Sequence, residues 1–164
     1  MPEPLSVAAS WNLGIKTTPS SPTGWLLLNS DAWFHDGAFD AFELATSTEK
    51  ITLGGQPGWC CAFIGTSVVS RVGLFCERFH PAYMEDVDYE RRAILHGIEV
   101  THSDALIGHD NSSTIAANPE WSRKNAQTHA ANHAFYEYRW ANVTANGLPL
   151  THEWSLDTTR LQAW

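Results

Sequence analysis

Apolar positions along the chain follow two different periods, which predicts helices alternating with strands. Residues 6–17 carry small and apolar side chains at helical intervals, and a loop rich in Pro, Ser and Thr at 18–24 ends this segment. The following run at 25–29 is short and apolar, as a buried strand is. The chain therefore opens with a predicted helix, a loop and a buried strand.

The same alternation continues through the middle and the end of the chain. We predict short helices at 36–46 and 67–72, strands at 50–53 and 60–64 around a Gly-rich turn at 54–58, an amphipathic helix at 86–96 that Gly97 ends, short strands at 98–101 and 105–107, and a long helix at 119–140 capped by Asn118. This order predicts an α/β fold in which helices flank a mixed, mostly parallel sheet. We expect one domain over residues 1–164, with 141–164 as a tail.

Composition narrows the class of protein. A hydrophobic fraction of 43% in 164 residues is enough to build one core. The formal net charge of −8 and the lack of a basic stripe argue against nucleic acid as a partner, because nucleic-acid binding depends on dense Lys and Arg. The sequence has no apolar run that predicts a transmembrane segment and no signal peptide at its start, so we expect a cytoplasmic protein. The three cysteines lack zinc-site or disulfide spacing and are expected to be buried thiols.

The most unusual segment of the sequence is a crowded acidic one. Glu85, Asp86, Asp88 and Glu90 lie within six positions, directly before an apolar helical run. Close carboxylates repel one another, so a fold that keeps them usually compensates them with a cation, an arginine or a substrate hydroxyl that needs a base. The alternative is a solvated acidic first turn of a helix, which the helix dipole favours.

A second acidic site follows the first predicted strand. Asn29 and Asp31 lie two residues apart at the end of that strand and can place two oxygen donors on one side of a turn. Hard cations such as Mg²⁺ and Mn²⁺ take oxygen ligands of this kind. An Asx turn explains the pair equally well when it is taken alone. Together with the acidic segment downstream, it favours a cation site.

Five segments of the chain resemble the family-2 glycosyltransferases with a GT-A fold, in particular the rhamnosyltransferase-like members. They are Leu-Asn-Ser-Asp-Ala at 28–32, Gly-Trp-Cys-Cys-Ala-Phe-Ile at 58–64, Val-Gly-Leu-Phe-Cys-Glu-Arg-Phe at 72–79, Tyr-Met-Glu-Asp-Val-Asp-Tyr-Glu-Arg-Arg at 83–92 and Ile-Gly-His-Asp-Asn-Ser-Ser at 107–113. They occur in the family's order and at its spacing. The resemblance covers roughly residues 6–140, and the Glu-Asp pair is its most specific part.

The resemblance implies an inverting, metal-assisted transfer of a sugar from a nucleotide-activated donor to a carbohydrate or glycoconjugate acceptor. It implies Asp86 as the base that takes the acceptor's proton, with Glu85 positioning that base or the acceptor. Mn²⁺ or Mg²⁺ is implied as the cofactor. The implied metal ligands are Asp31, Asn29 and His109, and the implied acceptor-binding residues are Trp59, Asp88 and Arg91.

The resemblance does not include the beginning of the family's domain. Members open with a strand and two further β/α units that hold the nucleotide, whereas Met1 falls where the family is already entering a later helix. We therefore expect an open sheet edge, and we expect a partner polypeptide or a second subunit to cover that edge and to complete the nucleotide site. The alternative is a truncated, non-catalytic transferase that acts as a carbohydrate- or protein-binding module.

Overall fold

Helices and strands alternate along the chain, which confirms the predicted α/β class. The computed structural model describes residues 5–110 and 119–146. Its elements are α1 (Val7–Thr17), β1 (Gly24–Leu28), β2 (Ala32–Phe34), α2 (Ala38–Leu44), β3 (Lys50–Gly54), β4 (Cys61–Gly65), α3 (Thr66–Val72), α4 (Glu85–Leu95), β5 (Glu99–His102), β6 (Ile107–His109) and α5 (Pro119–Asn146), with a 3-10 turn at Gly58–Cys60. The predicted cap Asn118 lies outside the described residues. No helix in the described part of the chain is long and apolar enough to cross a membrane.

The main sheet has four strands in the order β1-β4-β3-β5. Strand β4 runs antiparallel to both of its neighbours, and only β3 and β5 pair in parallel. The sheet is mixed as predicted, but the prediction that it is mostly parallel is wrong for the described strands. The reason is the short connection at 55–60 between β3 and β4, since a parallel pair needs a crossover of a dozen residues or more.

One face of this sheet forms the main core. Trp25 of β1 lies opposite Ile64 of β4, which in turn lies opposite Ile51 of β3. This face packs against apolar side chains of α1, α3 and α4, among them Ile15, Val68, Val69, Tyr89 and Ala93. Complete burial of one such aliphatic side chain contributes about 1.5–3 kcal/mol, so this layer fixes the three helices on the sheet.

The described residues cover the opposite face only in part. Phe42 of α2 packs there with Cys60 and Cys61, and Phe34 and Ile107 border this smaller cluster. Cys60, Cys61 and Cys76 are buried and free, as predicted. Burial raises the pKa of the Cys61 thiol to about 12, so these thiols remain protonated at neutral pH.

A two-stranded ribbon made of β2 and β6 lies beside the sheet. The sequence analysis missed β2, which has only three residues. Ala32 pairs with His109, and Trp33 pairs with Gly108. The Trp33 indole rests on Gly108, where an added Cβ would lie 2.4 Å from the ring. A glycine is therefore required at this point of the ribbon.

A buried carboxylate fixes the position of α4. Asp88 is fully buried, with its Oδ2 2.9 Å from Arg92 Nε and its Oδ1 2.9 Å from Arg139 Nε of α5. The Arg92 guanidinium also donates hydrogen bonds of 2.9 Å to the carbonyls of Val72 and Leu74. One anion thus links α4, α5 and the segment after α3.

Replacement of this anion is expected to destabilise the fold strongly. Asp88→Asn leaves two buried guanidinium groups without their carboxylate, and breaking a buried ion pair in this way costs about 3–5 kcal/mol. Urea unfolding of the variant measures this loss. The control is Asp104→Asn at an exposed position, where about 0.5 kcal/mol or less is expected. A loss at Asp88 no larger than at Asp104 would contradict this role of the buried network.

Candidate active site

Most of the residues that the sequence nominates for chemistry line one cavity of about 700 Å³. The cavity lies where the end of β1, the β2–β6 ribbon, the loop before α4 and the start of α1 meet. The nominated residues in its lining are Asn29, Asp31, Trp59, Glu85, Asp86 and His109. Residues far apart in the sequence therefore converge, as a shared site requires.

Asp31 and His109 form the ribbon side of the cavity. His109 Nε2 lies 3.1 Å from Asp31 Oδ1, and the Asp110 N–H donates to the Asp31 carbonyl at 3.0 Å. Ala32 is the residue that pairs with His109, and Asp31, which lies in the turn before β2 and not in the strand, reaches the His109 ring from that turn. Asn29 enters from β1, where its N–H donates to the Cys60 carbonyl at 2.9 Å.

The donor set of this corner fits a divalent cation in part. The Asp31–His109 separation of 3.1 Å is that of an ordinary hydrogen bond, and it is also close to the spacing of about 3 Å between neighbouring ligands of an octahedral cation with bonds of about 2.1 Å. The described residues contain no group of three or more His, Cys, Asp or Glu side chains placed to hold a metal ion. A cation here would therefore complete its shell with the Asn29 amide, water or oxygens of a bound ligand.

The loop before α4 presents the two acidic residues in a strained conformation. Tyr83 and Met84 both have positive φ, 82° and 75°, which is uncommon for residues other than glycine. Such residues each cost about 1–3 kcal/mol and persist only when their surroundings hold them. Asn132 of α5 supplies this support, because its Nδ2 donates to the carbonyls of Ala82 at 2.7 Å and Tyr83 at 3.1 Å.

Glu85 is the more deeply buried of the two carboxylates. It is 5% exposed, and its Oε2 has no hydrogen-bond partner among the described residues. Burial, and secondarily the nearby Asp86, raises the pKa of the Glu85 carboxyl to about 7. Nδ1 of His109 is another buried polar atom of the cavity lining without such a partner. Buried polar groups are normally paired, so both atoms are candidates to meet a ligand or an ordered water.

Asp86 is more accessible and keeps one oxygen engaged with the backbone. Its Oδ1 accepts a 2.8 Å hydrogen bond from the Val87 N–H in the first turn of α4. Burial is the main cause that raises the pKa of the Asp86 carboxyl, and Glu90 adds to the effect. A carboxylate with a raised pKa is a better proton acceptor than an ordinary one.

An aromatic wall closes the other side of the cavity. The Trp59 Nε1–H donates to Glu90 Oε2 at 2.8 Å, and the Trp59 ring stacks on Trp11 with centroids 6.2 Å apart. Residues of α1 and of the segment just before it complete this wall, and the sequence did not predict them. They include Leu5, Val7, Ser10 and Trp11. The only sequence signal for these residues is their helical spacing, and this spacing does not show which other segment of the chain the helix packs against.

Asp88 and Arg91, which the sequence nominates for acceptor binding, do not line the cavity. Asp88 lies in the buried network described above. Arg91 packs its guanidinium on Trp140, 4.2 Å from the ring centroid, and donates to the Tyr136 hydroxyl at 3.1 Å. Their contacts assign both residues to the attachment of α5 rather than to the cavity.

No protein-family model, curated protein or solved structure matches this chain.

The raised pKa of Glu85 predicts a pH-dependent stability. The folded state holds the proton up to about pH 7, whereas the unfolded chain releases it near pH 4.5, so the free energy of unfolding falls as pH rises between these values. Glu85→Gln removes most of this slope. Above about pH 7 we expect the variant to be more stable than the parent by up to about 3 kcal/mol.

Urea unfolding across this pH range measures the effect. The control is Glu43→Gln at an exposed position of α2, which should keep the parent's slope. Asp86 adds a smaller slope of the same sign in every variant, because its pKa is also raised. An unchanged slope in Glu85→Gln would show that Glu85 ionises in the folded protein as it does in water.

Proposed function

We propose that the chain is a glycosyltransferase that moves a sugar from a nucleotide-activated donor to a carbohydrate or glycoconjugate acceptor with inversion at the anomeric carbon, and that a partner polypeptide or a second subunit completes its nucleotide site. The observation that carries this proposal is the convergence of the Glu85–Asp86 pair with Asn29, Asp31 and His109 on one cavity. The motif resemblance stated above supports the same activity and the GT-A type of fold.

The donor's diphosphate belongs at the Asp31–His109 corner in this proposal. These two residues, with Asn29, would hold Mn²⁺ or Mg²⁺, and the cation would neutralise the negative charge of the departing nucleoside diphosphate. An imidazole ligand suits Mn²⁺ better than Mg²⁺. Because the protein contributes few ligands, phosphate oxygens have to supply others, and cation and nucleotide are expected to bind together.

The acceptor hydroxyl belongs beside α4. Asp86 takes its proton while the acceptor oxygen forms a bond to the anomeric carbon and the bond from that carbon to the diphosphate breaks. The accessible position of Asp86 and its raised pKa support this role. Glu85 holds the acceptor or Asp86 in place from its buried position.

The aromatic wall suits a sugar ring. The Trp59 indole is held in orientation by Glu90 and by its stacking on Trp11. A rigid aromatic face packs well against the apolar C–H face of a pyranose. This wall also favours the second candidate function, a binding module that recognises carbohydrate without transferring it.

Binding of cation and nucleotide is expected to raise the melting temperature only when both are present. A thermal-shift titration with Mn²⁺ and UDP, GDP or dTDP measures this, since a ligand at a hundredfold its dissociation constant stabilises the fold by about 2.7 kcal/mol. Asp31→Asn should abolish the shift, and Asp36→Asn at an exposed position should retain it. A shift that survives in Asp31→Asn would place the cation elsewhere.

Transfer itself is expected to depend on Asp86. With a nucleotide sugar and a carbohydrate acceptor, Asp86→Asn should lower the release of nucleoside diphosphate by about 10²–10⁴-fold, the usual contribution of a general base. The nucleotide-dependent thermal shift should remain in this variant, and Asp104→Asn should release product at the parent rate. A parent protein that binds carbohydrate but releases no nucleoside diphosphate from any donor would support the binding module instead.

A further inference from the structure

Strand β1 has the sequence of an interior strand but lies at the edge of the sheet. Its residues, Gly-Trp-Leu-Leu-Leu, are apolar on both faces, as in strands that are covered on both sides. In the described structure only β4 pairs with it. Leu26 and Leu28 are 38% and 39% exposed on the face opposite the main core.

Within the part of the chain that the structure describes, the backbone of β1 has hydrogen-bonding groups without a strand partner on its open side. The Asn29 N–H donates to the Cys60 carbonyl, and the Thr66 N–H donates to the Thr23 carbonyl, so odd-numbered residues of this segment face β4. Because backbone groups alternate along a strand, the N–H and C=O of Leu26 and Leu28 face away from β4. Ser21 covers the Gly24 end of the edge, since its hydroxyl accepts from the Gly24 N–H and donates to the Gly24 carbonyl.

The open edge lacks the features that usually keep edge strands from pairing. It carries no charged side chain, no proline and no bulge, whereas the opposite edge strand β5 presents the exposed Glu99. Beside β1 runs a groove of about 730 Å³, bordered by the end of α1 and the loop that follows it. Its lining, which includes Gly14, Thr17, Pro19 and Ser21, is free of charge.

We propose that two copies of the chain pair through β1, antiparallel, about a two-fold axis at Leu27. In this register Leu26 of one copy lies opposite Leu28 of the partner subunit, and the reverse pair forms on the other side of the axis. Residues that face each other in this way exchange both of their backbone hydrogen bonds, so the free groups of both leucines are satisfied in both copies. The exposed leucine side chains come together on one face of a continuous eight-stranded sheet.

An uncharged lining permits a second copy as the occupant. Each copy carries a formal net charge of −8 and like charges repel, so two copies can meet only where the contact surface itself carries no charge, as here. The edge is also self-complementary, because the same two residues supply both sides of the new pairing. This inference does not require sugar transfer, because it rests on the edge of β1 and not on the carboxylates of the cavity, although Leu28 of β1 also lines that cavity.

The mass of the full chain in solution tests the proposal. Light scattering coupled to size exclusion, over about a hundredfold range of concentration, should give twice 18.2 kDa at the upper end and should show dissociation on dilution. Leu26→Lys places a charge beside the axis and should give a monomer. Leu44→Lys, at an 89% exposed position of α2, should remain dimeric.

Amide hydrogen exchange provides a second measurement that needs no substitution. In the dimer the N–H groups of Leu26 and Leu28 should exchange slowly, and the protection should be lost on dilution. A monomer at every concentration with fast exchange at both amides would overturn the proposal. A dimer that persists in Leu26→Lys would overturn it as well, because its interface would lie elsewhere.

Discussion

The buried anion of Asp88 is the constraint on which the site depends. It joins Arg92 of its own helix to Arg139 of α5, and Arg92 in turn donates to the carbonyls of Val72 and Leu74 at the end of α3. Each guanidinium would be expensive to bury without this carboxylate. The network therefore fixes the N-terminus of α4, and with it Glu85 and Asp86, relative to the sheet.

Helix α5 contributes to the site without lining it. Through Arg139 it neutralises Asp88, and through Asn132 it holds the Tyr83–Met84 backbone in a conformation of positive φ. The cavity thus combines backbone strain with two carboxyl groups of raised pKa. Both features lower stability, and proteins retain them where a function depends on them. The rigid attachment of α5 offsets this cost at a distance from the chemistry.

The local sequence patterns predicted the helices and most of the strands, but they did not predict how these elements are arranged in space. The period of apolar residues located the helices to within a few positions, whereas β2 was too short to show a period. The prediction of a mostly parallel sheet was wrong because the local pattern of apolar residues does not determine the order and direction of strands in the sheet. Two of the crowded carboxylates, Glu85 and Asp86, line the cavity, but the sequence gave no means to separate Asp86 from Asp88, which the two arginines bury. The sequence did not predict that Trp11 lines the cavity, because its partner Trp59 lies in a distant segment.

In the proposed function, the end of β1, the ribbon and α4 build one site for a cation and a nucleotide. Paramagnetic broadening of NMR signals by Mn²⁺ in the presence of a nucleoside diphosphate measures which residues lie near the ion. We expect broadening that is centred on Asp31 and His109, extends to Asn29, Glu85 and Asp86, and requires the nucleotide. Broadening that is spread over exposed carboxylates such as Asp36 and Asp40, or that is the same with and without nucleotide, would show that the cation binds elsewhere.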